Sequence, residues 1–324
     1  MASPQNKDRL KKAVGITVRI LISAVLLAVL YYNIDFASVI HEVITMPLWF
    51  LACMILLTAV GIILEVVKWR ALRPSIPFTP FLKAFLYCEF FMLVLPGQLF
   101  GEAAKVVAFG KFTGRYDLGI STVVIDKMTG FLALLSTGLT GLLLTQTELH
   151  RALVLVFSAC IIALFVLFFS LRTERVQRRL LSLIEWPGKK FPRFQKVCGR
   201  ASGLVEIWRE YLIKPKILVQ NFGYGALFNA FMIFHYMLIC RIYEIPVGVF
   251  DLCWIMSTIG VVQVMPVSFA GIGIRDISLV AMFAFIGISA ENAVILALFL
   301  FLVIIFRAIA GAVCVLMDII GTKK

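Results

Sequence analysis

The chain has 324 residues, of which 61% are hydrophobic and only 15% charged, and its mean hydropathy is +1.00. That composition excludes a soluble globular protein and predicts an all-α, polytopic helical membrane protein. The net charge of +13 fits Lys and Arg gathered in cytoplasmic loops and lacks the aromatic-interleaved basic surface of a nucleic-acid reader, so no nucleic-acid partner is expected.

The N-terminus carries Lys7, Arg9, Lys11, Lys12 and Arg19 ahead of an apolar run from Ile20 to Tyr32. No small-x-small cleavage site follows, and Tyr31-Tyr32-Asn33 reads as an interfacial end, so an uncleaved first span is expected over 14–32 with the N-terminus inside. Phe36, Val39, Ile40 and Val43 have the spacing of a short interfacial helix. Pro47 opens a second span, 48–67, closed by Lys68, Trp69, Arg70 and Arg73. This basic, Trp-marked end reads as a cytoplasmic interface, with Glu65 as an interfacial partner for Lys68 or Arg70 or, alternatively, a cavity residue.

A first broken segment follows from Phe78 to Lys111. Its break, Leu95-Pro96-Gly97 through Gly101-Glu102, sets proline, glycine and charge inside one apolar stretch. Proline removes a backbone donor and glycine lets the chain restart, so two half-helices are expected, 81–95 and 101–109. Each is too short for a hydrocarbon core of about 30 Å, and cytoplasmic-type charge flanks both ends, so the segment reads as a re-entrant hairpin.

The next span, 118–144, holds Asp126 and Lys127. Ionisable groups at that depth face a cavity or a partner. Adjacent residues diverge by about 100° on a helix, so each needs a partner elsewhere. A plain span over 152–171 leads to the hydrophilic stretch Arg172 to Lys216, with twelve Lys/Arg against four Glu. It is too short and too broken by prolines for an independent catalytic domain. Its stripes at Val176, Leu180, Leu183 and Ile184, and at Leu204, Ile207, Trp208, Tyr211 and Leu212, predict amphipathic helices lying on an anionic leaflet.

Span 217–243 contains His235, read as a hydrogen-bonded packing residue, with a proton or lipid contact as the alternative. A second broken segment then repeats the first: Pro266, four residues, Gly271, then Gly273, Arg275 and Asp276, with arms at 249–264 and 273–287. The last span, 293–320, carries Arg307 beside Gly311 and ends inside at Lys323-Lys324. Six spans with both termini cytoplasmic follow.

The order span, broken hairpin, charged span thus occurs twice in opposite orientations: repeat one over 47–145, the cytoplasmic loop over 172–216, repeat two over 217–320, all within a single transmembrane domain, 1–324. Inverted repeats of this kind place binding sites at broken helices near the bilayer midplane. A half-helix restarting after a break offers unpaired N–H groups and a positive dipole end, which favour an anion. Lys105, Lys127, Arg275 and Arg307 suit the phosphate of a lipid headgroup, while Glu102, Asp126 and Asp276 balance them, meet a cationic headgroup or carry a coupling proton. The alternative is that these charges pair simply to hold two re-entrant loops together. Gly271-Ile272-Gly273 is no dinucleotide fingerprint, and G-x-x-x-x-G-K-[ST], H-E-x-x-H and G-x-S-x-G motifs are missing from the sequence. The seven cysteines form no C-x-x-C pair and read as small hydrophobes. No cofactor or metal is expected.

At these residues the sequence resembles the lysylphosphatidylglycerol synthase transmembrane family, flippase-like integral membrane proteins. Pro96, Gly101, Glu102 and Lys105 match its Pro-x-x-x-Gly-Glu break and following basic residue, with one extra residue before the glycine. Pro266, Gly271, Gly273 and Arg275 match its Pro…Gly-Gly-x-Gly-x-Arg-Glu pattern, with Ala270 for the first glycine and Asp276 for the Glu. Asp126-Lys127 resembles the family's acidic/basic pair. Aminoacylating members carry an added cytoplasmic transferase domain for which this chain lacks room. The resemblance implies a stand-alone lipid translocator of the inner membrane rather than a synthase, with a separate lipid-modifying enzyme or glycosyltransferase as partner. The sequence leaves open the lipid, the direction and energy coupling of transport, the oligomeric state, and whether the two hairpins are re-entrant or fully spanning. Two other readings stand beside it: an intramembrane headgroup transferase using Glu102, Asp126 or Asp276 as acid or base, and a non-catalytic scaffold for a cell-envelope glycosyltransferase.

Overall fold

The computed structural model describes residues 45–94, 98–145, 150–190, 211, 213–263 and 273–321. The described residues are helical and contain no strand. In chain order the helices are α1 (Leu48–Arg70), α2 (Phe78–Val94), α3 (Gln98–Thr113), α4 (Tyr116–Leu144), α5 (His150–Arg172), α6 (Glu174–Lys190), α7 (Pro215–Ile242), α8 (Val249–Gln263), α9 (Ile274–Phe285) and α10 (Ala290–Gly321). Five segments among the described residues are long and apolar enough to cross a membrane: Leu48–Arg70, Tyr116–Leu144, Arg151–Phe168, Pro215–Ile242 and Ala290–Ile320. The expected first span, the interfacial helix before Thr45 and nearly all of the second amphipathic piece lie outside the described residues.

Both broken segments have their predicted arms, α2 with α3 and α8 with α9, each about 18–26 Å long at 1.5 Å per residue. The second arm of the first segment begins at Gln98 and runs to Thr113, longer than the predicted 101–109. The linking residues 95–97 and 264–272 lie outside the described residues. Arm packs on arm in each case. A methyl group on Gly101 would stand 3.0 Å from Met92 Cβ and 3.1 Å from the Cys88 carbonyl oxygen, and α8 lies against α9, which in turn lies against α10.

The described residues fall into two compact units. One draws on the described residues within 1–59, 86–104 and 233–324, the other on those within 60–85 and 105–232. In the first unit, Phe50, Tyr243 and Phe299 join α1, the end of α7 and α10, with ring centroids 4.7 to 6.1 Å apart. α10 approaches α2 backbone to backbone: a Cβ on Gly311 would lie 2.3 Å from the Leu86 carbonyl oxygen and 2.8 Å from the Phe90 nitrogen.

In the second unit, Trp69, Phe81 and Phe109 close the ends of α1, α2 and α3 around one another. Arg70 braces the turn out of α1 by donating to the carbonyls of Pro74 and Ile76, each at 3.1 Å. α4 packs on α5 and α5 on α6. The hydroxyls of Ser121, Thr122, Ser136, Thr137 and Thr140 return to carbonyls one turn back, which lets α4 carry polar residues without leaving a donor bare. α5 is almost entirely exposed, with only 6% of Arg151–Phe168 buried. The described cysteines are free, Cys88 and Cys240 buried and the others half-buried, and Cys198 lies outside the described residues.

The Gly311 contact generates a direct test. Gly311→Ala forces α10 away from α2 and should lower stability by about 1–3 kcal/mol, as overpacking does. Thermal unfolding of the detergent-purified protein should show a Tm several degrees lower.

Candidate functional site

Charge inside an apolar bundle must find a partner locally, and the second unit supplies one. Lys68, in the last turn of α1, is buried, and its Nζ lies 3.0 Å from Asp126 Oδ1 on α4. The ammonium also donates to the Asp126 main-chain oxygen at 3.2 Å. Two glycines make the room. A Cβ on Gly130 would stand 2.8 Å from Lys68 Nζ, and one on Gly225 would stand 3.6 Å from Lys68 Cε and 3.0 Å from Ala133 Cβ.

Asn221 of α7 extends the network. Its Nδ2 donates to the Lys68 carbonyl at 2.6 Å, and its Oδ1 accepts from the Thr129 hydroxyl. Lys105 of α3 is also buried, with its ammonium 4.2 Å from the Trp69 ring centroid and 5.2 Å from that of Phe85. Cations over aromatic faces are held by the ring quadrupole. Lys68, Lys105 and Lys127 all act electrostatically on Asp126.

The first unit contains two more ion pairs, one half-buried and one buried. Arg307 of α10 grips Glu89 of α2 with Nε to Oε2 and Nη2 to Oε1, both at 2.9 Å. Arg275 donates to Asp276 Oδ1 through Nε at 2.8 Å and Nη2 at 2.6 Å, and Nη2 also reaches the Ala297 carbonyl of α10 at 3.1 Å. Asp276 Oδ2 accepts the Gly273 N–H at 3.0 Å and so caps the start of α9. Gly273 adopts φ +86°, which needs glycine. The anion at this helix start is therefore the chain's own carboxylate.

Of the sequence-predicted site residues, Pro96, Pro266 and Gly271 lie outside the described residues. Lys105 and Asp126 belong to one unit, with Lys127 exposed on the neighbouring face of α4. Gly101, Glu102, Gly273, Arg275, Asp276 and Arg307 belong to the other. Glu102 is half-buried, with Oε1 at 4.0 Å from Cys88 Sγ.

Three expectations are corrected. Lys68 and Trp69 are buried rather than interfacial, because α2, α3 and α4 cover the end of α1. Lys68 pairs with Asp126 and Arg70 donates to loop carbonyls, so the partners of these two cations include groups outside α1. His235 is fully buried yet neither ring nitrogen has a hydrogen-bond partner; its ring stacks on Tyr236 instead. Lys68 and Glu89 are the site residues that sequence reasoning passed over. The available signals were a lysine one residue inside a tryptophan and an acid inside an apolar arm.

A family model described as the lysylphosphatidylglycerol synthase TM region matches residues 16–311. No curated protein and no solved structure matches the chain. The match and the five long apolar helices make this a multi-pass membrane protein of a lipid-related family.

Removing one partner of the Lys68–Asp126 pair leaves the other charged in an apolar interior. Lys68→Met should cost about 3–5 kcal/mol. Adding Asp126→Leu should restore most of that loss. Tm values of the single and double variants in detergent check both outcomes.

Proposed function

The chain belongs to the lysylphosphatidylglycerol synthase TM region family, and from that premise we propose that it translocates a polar or anionic lipid across the cytoplasmic membrane and is not itself a synthase. Both termini face the cytoplasm, and α6, with Arg175, Arg178 and Arg179 exposed, lies along the cytoplasmic leaflet. The two broken segments are re-entrant hairpins of an inverted repeat. In support, one offset of 170 residues relates Pro96 to Pro266, Gly101 to Gly271 and Lys105 to Arg275. A separate lipid-modifying enzyme or glycosyltransferase supplies the lipid.

The observation that carries this reading is the buried Arg275–Asp276 pair at the head of α9. Asp276 gives one oxygen to the guanidinium and the other to the Gly273 N–H. A headgroup phosphate offers the same acceptors with more oxygens and a full negative charge. It exchanges with the carboxylate, binds the fork of Arg275 and leaves the acyl chains in lipid. When the phosphate departs, Asp276 closes back on Arg275, so the cation is never bare in the apolar interior.

Reconstitution into liposomes with a panel of acyl-labelled phospholipids, with and without a pH gradient, tests this. The wild-type chain should expose inner-leaflet label to an impermeant quencher faster than protein-free liposomes. Arg275→Lys keeps the charge but loses the planar fork, and should slow translocation about tenfold with little change in Tm. Equal rates for wild-type and empty liposomes, or full activity in Arg275→Lys, would overturn the reading.

A further inference from the structure

We propose that Glu89 is a positioning residue for Arg275: its ion pair with Arg307 latches α10 to the first broken segment, and α10 in turn holds the Arg275 guanidinium through the Ala297 carbonyl. The two broken segments are thereby coupled through one helix. The proposal rests on the translocation reading above only for what the coupling serves, and every residue in it belongs to the same compact unit.

The latch has little slack. Glu89 is buried and gives both carboxylate oxygens to one guanidinium, Oε2 to Arg307 Nε and Oε1 to Nη2, each at 2.9 Å. A pair held at two prongs is directional as well as strong. One turn further along α10, a Cβ on Gly311 would collide with the Leu86 carbonyl oxygen and stand 2.8 Å from the Phe90 nitrogen, so the two backbones touch on either side of Glu89. The Tyr87 hydroxyl adds a bond to Asp318 Oδ2 at 3.2 Å. The single turn 86–90 of α2 thus meets α10 in three places. Asp276 is arranged otherwise, with one oxygen on the Arg275 fork and the other on the Gly273 N–H. On this reading Arg307 holds the frame and Arg275 takes the ligand.

The other end of the device lies earlier on the same helix. Arg275 Nη2 donates to the Ala297 carbonyl at 3.1 Å, and Ile277 and Val280 of α9 pack with Val294, Ile295 and Leu298 of α10. Between Ala297 and Arg307 α10 rises about 15 Å. The intervening run 298–306 contains neither the glycine nor the proline at which helices bend, so a shift of α10 at Arg307 is carried to Ala297. The carbonyl matters most in the liganded state. Among the described residues the acceptors of Arg275 are Asp276 and the Ala297 carbonyl. Once a phosphate has displaced Asp276, Ala297 alone keeps the guanidinium in place, and its position decides whether both prongs face the ligand.

Hydrogen–deuterium exchange of the full chain in phosphatidylcholine nanodiscs reads the coupling at α9 itself. The Ile277 amide, bonded to the Gly273 carbonyl at 2.9 Å, and the amides of Ser278 and Leu279 report on the turn that Arg275 anchors. Glu89→Gln keeps the shape and removes the charge, and should speed exchange of these three amides about tenfold, the effect of one hydrogen bond to a charged group. Gly311→Ala parts the same seam without altering either charge and should act in the same direction, which supplies a second variant if the first does not fold. Amides of α4 and α5, in the other unit, should keep their wild-type rates.

Unchanged exchange at Ile277, Ser278 and Leu279, with faster exchange confined to α2 and α10, makes the latch local and overturns the proposal. An equal rise in every helix, α4 and α5 included, reflects a general loss of stability and overturns it as well. Liposome translocation by the wild-type chain, run in parallel, reports separately on the function. Faster α9 exchange in Glu89→Gln without wild-type translocation sinks the transport reading alone, and wild-type translocation with unchanged α9 exchange sinks the coupling alone.

Discussion

A charge withdrawn from water has to be answered within a few ångströms, and in this protein that requirement shapes the backbone. Lys68 meets Asp126 at 3.0 Å, Arg307 meets Glu89 at 2.9 Å and Arg275 meets Asp276 at 2.6 Å. Two of these pairs bridge helices far apart in sequence, and their side chains reach only because the helices come unusually close. Glycine is the means. Gly311 lies one turn beyond Arg307 and lets α10 rest on the α2 backbone beside Glu89. Gly130 lies one turn beyond Asp126 and admits the ammonium of Lys68. The same device, a glycine four residues after a paired charge, appears in α4 and α10.

The third pair is different in kind. Arg275 and Asp276 are neighbours in sequence, so their contact needs no helix approach and holds no two distant elements together. It fixes the start of α9 instead: the carboxylate caps Gly273 while the guanidinium ties α9 to the Ala297 carbonyl of α10. A pair that costs little to open locally can exchange partners. Pairs that also lock helix spacing cannot do so without moving the helices.

The sequence made the helices readable for a plain reason. Where backbone groups must be satisfied within the segment, an apolar run leaves helix as the available answer, and proline with glycine marks where it stops. The arms 81–95 and 249–264 therefore came within a few residues of α2 and α8. Partners were not readable in the same way. Lys68-Trp69-Arg70 has the composition of an interfacial belt, and only the packing of α2, α3 and α4 over it turns two of those residues inward. Glu89 was visible as an acid in an apolar arm, but nothing local names Arg307, 218 residues away. For His235 the usual expectation of a bonded imidazole fails, and its stacking on Tyr236 is not a substitute for that bond.

One helix stands outside this economy of close contacts. α5 touches α4 and α6 but leaves most of its side chains outward. Lipid tails do not distinguish leucine from isoleucine, valine or phenylalanine as a packed core does, so the composition of α5 matters and its order does not. Apart from buried Phe157, the identities along Ala152 to Phe168 are then free to drift in evolution at a rate set by hydrophobicity alone, while a single methyl group at Gly311 already costs stability. Half-buried Cys160 sits in this permissive segment, which makes it a natural point for attaching a spectroscopic reporter without disturbing the buried charges.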